Sequence, residues 1–185
     1  SEALRMGRLV GDVLQLAETE SFDGEFTSQS VASVIDEAVE FVHARAQDKG
    51  IEIRVGAAQD AAILADRGQV VSAVRNLLDN AITYTAAKED GRGVVWIRAQ
   101  VEGETVTIEV QDTGIGIPER YTDRVFERFF RVDRARSRQS GGTGLGLSIV
   151  RNVVVAHGGS VQVDSTVGVG STFTIGLPVI PEEQR

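Results

Sequence analysis

The 185-residue chain contains no cysteine, which excludes disulfides and thiolate metal sites and removes one mark of a secreted protein. A reducing compartment is the expectation. It also lacks any apolar run approaching the roughly 20 residues needed to cross a bilayer, and it has no basic-then-apolar start of the signal-peptide kind. Basic side chains are in the minority, 19 against 27 acidic ones, for a formal charge of -8. That balance argues against a surface holding DNA or RNA by counterion release, so any bound phosphate must be met locally.

What is present, 42% hydrophobic and 25% charged residues, suffices for one main core with a small appendage. In residues 1–20, Met6, Leu9, Val13 and Leu16 recur at helical spacing, with Ala3, Val10 and Ala17 on an adjacent seam. This is the pattern of a bundle or coiled-coil helix whose stripe needs a partner. It opens mid-pattern, so the expectation is a piece of a longer protein. Residues 21–24 then read as a hinge, 25–180 as the globular body and 181–185 as a tail.

Within the body, Ser30 can cap a helix with Val31, Val34, Ile35, Ala38, Val42 and Ala46 on one face, ending at Gly50. Residues 51–55 and 61–65 read as strands. Asp66 followed by Gln69 resembles a capping box for a helix over 67–85 with Val70, Val74, Leu77, Leu78, Ala81 and Ile82 inward. Strands over 93–102 and 104–111 follow, joined by a tight turn at Gly103. A helix over 143–156 is stopped by His157-Gly158-Gly159, and 160–165 with 171–178 form a closing hairpin. Between them, 115–142 has few strong patterns, several Arg and Gly at both ends. It reads as a mobile lid with a short helix near 118–125, and 126–142 is expected to be poorly ordered without a ligand.

Four clusters carry chemistry. Val106, Ile108 and Val110 share a strand face, and the next position of that parity is Asp112. A carboxylate pointing at the core needs a hydrogen-bond donor, because burying an unpaired anion costs several kcal/mol. An adenine amino group is one such donor. Asn76 and Asn80 stand four apart on one side of a helix, with Thr83 continuing that side, and amide oxygens are hard neutral ligands suited to Mg2+. Gly141-Gly142-Thr143-Gly144-Leu145-Gly146 opens a helix, where free N–H groups and the positive end of the dipole favour an anion. It lacks the Gly-Lys-Ser/Thr ending of a P-loop and the spacing of the dinucleotide fingerprint. Phe126-Glu127-Arg128-Phe129-Phe130-Arg131 puts aromatics that can dock a lid beside guanidinium groups that can fork onto phosphate. His43 on an exposed helix face and His157 at a helix end, where a cation is favoured, read as structural.

Taken together and in this order, the residues resemble the nucleotide-binding domain of bacterial sensor histidine kinases, within the wider group of gyrase-like and Hsp90-like ATP-binding domains. Asn76 to Ala81 matches the N box, Asp112 to Gly116 the G1 box, Phe126 to Phe130 the F box and Gly142 to Leu147 the G2 box. The resemblance covers nearly the whole chain. It implies an α/β two-layer sandwich, with a mixed, mainly antiparallel sheet covered on one face by three helices and preceded by one bundle helix. Residues 1–20 would then be the second helix of the dimerisation and phosphoacceptor hairpin.

By the same resemblance, Asp112 accepts from the adenine amine of ATP, Asn80 ligates Mg2+ with Asn76 assisting, and Tyr84 flanks the base or ribose. Gly114 and Gly116 leave room for the nucleotide, and the loop of Gly142, Thr143, Gly144, Leu145 and Gly146 cradles phosphate. Asn76, Arg128 and Arg131 are the catalytic candidates, the two Arg at the γ-phosphate. The group often has Lys or Arg where this chain has Thr83, so one phosphate contact is missing or is supplied by Lys88 or the lid. The phosphoaccepting His has no counterpart in these residues. The implied partners are that hairpin, in a homodimeric parent, and the receiver domain of a response regulator. The implied location is cytoplasmic, on a parent held in the membrane by other segments. Two other readings stand beside the kinase: an ATP-hydrolysing clamp of the gyrase or chaperone kind, and a non-catalytic nucleotide-binding module. The clamps carry a Glu where this chain has Asn76, which cannot act as a general base.

Overall fold

The computed structural model describes residues 2–20, 25–58, 61–88, 93–132 and 142–181. The hinge at 21–24, the central part of the lid at 133–141 and the tail residues 182–185 lie outside the described residues. Four helices and seven strands are described: α1 (Glu2–Glu20), β1 (Thr27–Ser30), α2 (Val31–Asp48), β2 (Ile51–Ala58), β3 (Ala62–Ala65), α3 (Arg67–Thr85), β4 (Gly93–Glu102), β5 (Thr105–Asp112), α4 (Gly146–Ala156), β6 (Ser160–Thr166) and β7 (Gly170–Pro178).

β2, β4, β5, β7 and β6 form a sheet in that order, parallel only between β2 and β4. β1 and β3 make a separate antiparallel pair. Helices α2, α3 and α4 pack on one face of the large sheet, giving the expected two layers. Strand alternation explains the one-sided cover. Val95, Ile97, Ala99, Val106, Ile108, Val110, Phe173, Ile175 and Leu177 are buried toward the helices. The other face carries polar pairs such as Arg98 with Glu109, and Arg54 over the Trp96 ring.

Helices α2 and α3 start where a side chain supplies an acceptor. Ser30 Oγ accepts from the Ser33 amide at 3.3 Å, and Asp66 Oδ1 from the Gln69 amide at 2.8 Å, each satisfying a first-turn N–H. α2 ends before Gly50, whose φ of 66° is the left-handed geometry that favours glycine there.

Two expectations change. α4 begins at Gly146 rather than at 143, because Gly144 has a φ of 80° that no helix can contain. Only a single 3-10 turn, Glu119–Tyr121, forms where a short helix over 118–125 was expected. His157 is structural, as expected, but not as a cation at a helix end. Its Nδ1 lies 2.7 Å from the Val153 carbonyl and its Nε2 accepts from the Asp66 amide at 3.1 Å. A carbonyl needs a donor and an amide needs an acceptor, so the ring is neutral with the proton on Nδ1. It fastens the end of α4 to the start of α3, stacked on Phe26.

α1 packs against α4, with Leu16 buried, while Met6, Leu9, Val10 and Val13 of its stripe stay exposed. Among the described residues no helix is long and apolar enough to cross a membrane.

Leu78, fully buried between Asn76 and Asn80 in sequence, anchors α3 to the core. Leu78→Ala should lower stability by about 2–5 kcal/mol. Urea unfolding followed by circular dichroism checks this through a lower midpoint at unchanged slope.

Candidate functional site

Asp112 is the last residue of β5, registered between Val95 of β4 and Ser171 of β7. Strand parity turns its carboxylate inward, and it is 6% exposed. Oδ1 accepts from the Gly114 amide at 2.8 Å and the Ser171 amide at 3.3 Å. Among the described residues these are its only hydrogen bonds, so Oδ2 keeps its acceptor capacity. Burial pushes the carboxyl up to about 6, while the two amides and the Lys88 charge oppose that rise.

The loop after Asp112 lies flush on the end of α3. A Cβ on Gly114 would sit 2.8 Å from both Asp112 Oδ1 and the Tyr84 carbonyl oxygen, so nothing larger fits. Gly116 has a φ of 70° and closes against Thr166, where a Cβ would meet the carbonyl oxygen at 2.1 Å. Tyr84 is partly exposed, and desolvation raises the pKa of its phenol while the Arg131 charge lowers it. The Arg131 guanidinium lies beside the Gly142 loop, with Nη2 3.8 Å from where a Gly142 Cβ would be.

α3 supplies both amides. Asn76 Nδ2 donates to the Ser72 carbonyl at 3.0 Å, which turns Oδ1 away from the helix. Oδ1 lies 3.0 Å from where a Cβ on Gly146 would be, and Asn80 Nδ2 lies 3.9 Å from the same point. The first residue of α4 therefore stands over the Asn pair, and glycine leaves that space open. Asn76 Oδ1 fits Mg2+, which accepts neutral oxygens and takes the rest of its shell from water and phosphate, whereas Asn80 turns Nδ2 to the same point and would need its amide reversed to add an oxygen. Among the described residues no group of three His, Cys, Asp or Glu side chains could hold an ion alone.

The Gly142–Gly146 loop is braced by the aromatic segment: Phe129, itself at a φ of 61°, donates its amide to the Gly144 carbonyl at 2.9 Å. Leu145 is fully buried beneath the loop, and its amide donates to Thr143 Oγ1 at 3.3 Å. Phe126 packs edge-on against Phe173 of the sheet. The structure thus brings Asp112, Gly114 and Tyr84 together at one end and Asn76, Asn80 and Gly146 at the other, with Arg131 beside Gly142. Arg128 instead lines a groove of about 640 Å³ with Phe126, Ser148, Arg151, Asn152 and Val155. Gly141 lies outside the described residues.

Sequence reasoning missed three participants. Ser171 donates to Asp112 from a strand far along the chain, and only sheet register reveals it. Arg45 of α2 reaches Asp79 Oδ1 at 2.5 Å and Thr83 Oγ1 at 2.9 Å. Thr83 also donates to the Asp79 carbonyl at 2.7 Å, so its hydroxyl is turned toward α2. Lys88 donates to the Thr113 carbonyl at 3.0 Å, at the Asp112 end rather than the Asn pair. Asp12 of α1 is the third, bonded to Thr143.

Against known families, residues 65–181 match the model described as histidine kinase-, DNA gyrase B- and HSP90-like ATPase. A sensor-like histidine kinase, SenX3 of Mycolicibacterium smegmatis, is 38% identical over 186 residues, covering 100% of this chain and 47% of that protein. The chain thus spans about half the length of this curated relative. Among solved structures, a mycobacterial sensor histidine kinase, MprB, superposes with a TM-score of 0.71 at 34% identity, over 84% of this chain and 99% of the other. ShkA, solved full-length in complex with AMPPNP, gives a TM-score of 0.76 at 32% identity, over 93% of this chain and 35% of that one. The chain belongs to the histidine kinase-, gyrase B- and HSP90-like ATPase family, as an ATP-binding catalytic domain of the sensor histidine kinase type.

The Asp112 geometry has a pH consequence. Its folded pKa lies above the ordinary carboxyl value of 3.8, so the folded state holds the proton more tightly. The stability this group adds is fully present below the unfolded value and is lost as pH rises through about 6. Without nucleotide, Asp112→Asn should remove that dependence, worth about 3 kcal/mol at most between pH 3.8 and 6. Urea midpoints of parent and variant across pH 4 to 7 check the difference.

Proposed function

We propose that the site binds Mg-ATP with its adenine at Asp112 and its phosphates between the Asn pair and the Gly142–Gly146 loop, and presents the γ-phosphate to a histidine imidazole. The observation that carries this is the pairing of one buried carboxylate with an open acceptor oxygen and an Asn amide oxygen turned toward a glycine-lined helix start.

The division of labour follows from chemistry. Asp112 accepts from the adenine amine, and Gly114 and Gly116 keep the base channel clear. Tyr84 flanks the base or ribose. Asn76 directs its amide oxygen at the metal, and Asn80 adds a second oxygen once its amide is turned over, the metal's charge when bound offsetting that of the phosphates. Thr143, Gly144 and Leu145 offer polar groups at the start of α4, where the helix dipole favours an anion. Arg131 is the nearer catalytic candidate for the γ-phosphate, and Arg128 reaches it only after the F-box segment shifts. Catalysis is positioning and charge stabilisation, as for other phosphoryl transfers.

The imidazole would stand on the hairpin to which α1 belongs, in a homodimeric parent, and the phosphate would pass to an aspartate of a receiver domain. The exposed apolar stripe of α1 supports that reading, as do the relatives named as sensor histidine kinases. Residues 1–20 are then the hairpin helix, 21–24 the linker and 25–180 the catalytic domain. We place the domain in the cytoplasm, with a parent anchored in the membrane. Asn76, in the position where a clamp needs a base, favours transfer over hydrolysis.

The test joins the chain to its parent's upstream hairpin and supplies radiolabelled Mg-ATP. An acid-labile, base-stable phosphate should appear, and Asp112→Asn or Asn80→Ala should reduce it at least about 100-fold. Sustained hydrolysis with no such phosphate would point to the clamp instead.

A further inference from the structure

Two polar side chains of α1, one turn apart, reach the two groups that would handle the ligand. Asp12 Oδ2 accepts from Thr143 Oγ1 at 2.5 Å, and Gln15 Nε2 donates to Ser72 Oγ. Thr143 lies in the loop before α4, and the Ser72 carbonyl is what fixes the Asn76 amide. Leu16, on the neighbouring position, is buried in the main core and clamps this contact. α1 therefore docks on the loop and on the brace of the Asn pair together.

The chemistry of the first contact is exclusive. A threonine hydroxyl has one proton. While Thr143 gives it to Asp12, it has none for a phosphate oxygen. The Asp12 carboxylate also stands, as a fixed negative charge, at a loop whose glycine backbone and helix dipole would otherwise welcome phosphate.

We propose that Asp12 is a positioning residue that sets docking of α1 against phosphate binding in the Gly142–Gly146 loop. The inference rests on the nucleotide reading above. With the nucleotide's phosphates in the loop, like charge repels Asp12 and the Thr143 proton is withdrawn from it. α1 then loses its polar anchor and loosens from α4. Coupling of this kind is reciprocal: the factor by which docked α1 weakens nucleotide binding is the factor by which nucleotide weakens docking. A signal that shifts α1 and the occupancy of the site thereby act on the same equilibrium.

The test uses the whole chain and the non-hydrolysable analogue Mg-AMPPNP. Asp12→Asn keeps the size and a polar contact without the charge, and Asp12→Ala removes both. Each should tighten binding about tenfold at low salt by calorimetry, about 1.4 kcal/mol. The gain should shrink at high salt, where exposed charges are screened, a dependence that a loss of packing would not produce. The chain has no cysteine, so spin labels on Val10→Cys in α1 and Val155→Cys in α4 report the docking itself. Their distance distribution should broaden when the parent is saturated with Mg-AMPPNP. Affinities within twofold of the parent at low salt, or a distribution unchanged by nucleotide, overturn the inference alone. Failure of parent and variants alike to bind the analogue overturns the nucleotide reading and the inference with it.

Discussion

A carboxylate buried at the end of β5 is the constraint around which the rest is arranged. Ionised Asp112 is costly to hide, and the fold compensates only half of it: two backbone amides meet Oδ1. Supplying those amides demands an unusual backbone on both sides. Gly114 must lie against the end of α3, and Gly170, with a φ of 145°, must pass so close that a Cβ would sit 1.9 Å from the Asp112 carbonyl oxygen. The sheet order that puts β5 between β4 and β7 is thus also what assembles the carboxylate's surroundings. What the fold leaves uncompensated is left for a ligand to satisfy.

α3 works on two faces at once. Its apolar positions, Val70, Val74, Leu77, Leu78, Ala81 and Ile82, are buried and hold its rotation about the axis. That rotation delivers Asn76 and Asn80 to the start of α4, while Arg45 ties Asp79 and Thr83 to α2 from the next side round. The cation beside this stretch of helix is thereby contributed by a neighbouring element, Arg45 of α2. His157 completes the frame by fastening the far end of α4 to the cap of α3. The opening between the Asn pair and the Gly142–Gly146 loop is held at both ends of α4.

Local pattern was enough to see most of this. The inward direction of Asp112 follows from strand parity with Val110 and Ile108, and the shared side of Asn76 and Asn80 from their spacing. The α3 boundaries were visible because Asp66 and Gln69 mark its start chemically and apolar spacing fills its length. The start of α4 was not visible, because a glycine-rich loop and a glycine-rich first turn look alike until a φ value separates them. Arg45, Ser171 and the Asp12–Thr143 contact were illegible for a different reason. Each depends on which elements meet in space, and nothing in the neighbouring residues announces the partner. The neutral tautomer of His157 belongs with them, since its partner amide lies at the start of another helix.

Comparing Mg-ATP with Mg-inosine triphosphate, in the same buffer and on the unmodified chain, isolates the Asp112 interaction. The inosine nucleotide keeps the ring, sugar and phosphates but puts a carbonyl oxygen where adenine has its amine, so that acceptor would face acceptor. A preference for ATP of about 100-fold, the worth of a hydrogen bond to a charged group, is the expected result. Equal affinity for the two would mean that the buried carboxylate does not recognise the base, and the proposed placement of the nucleotide would be wrong.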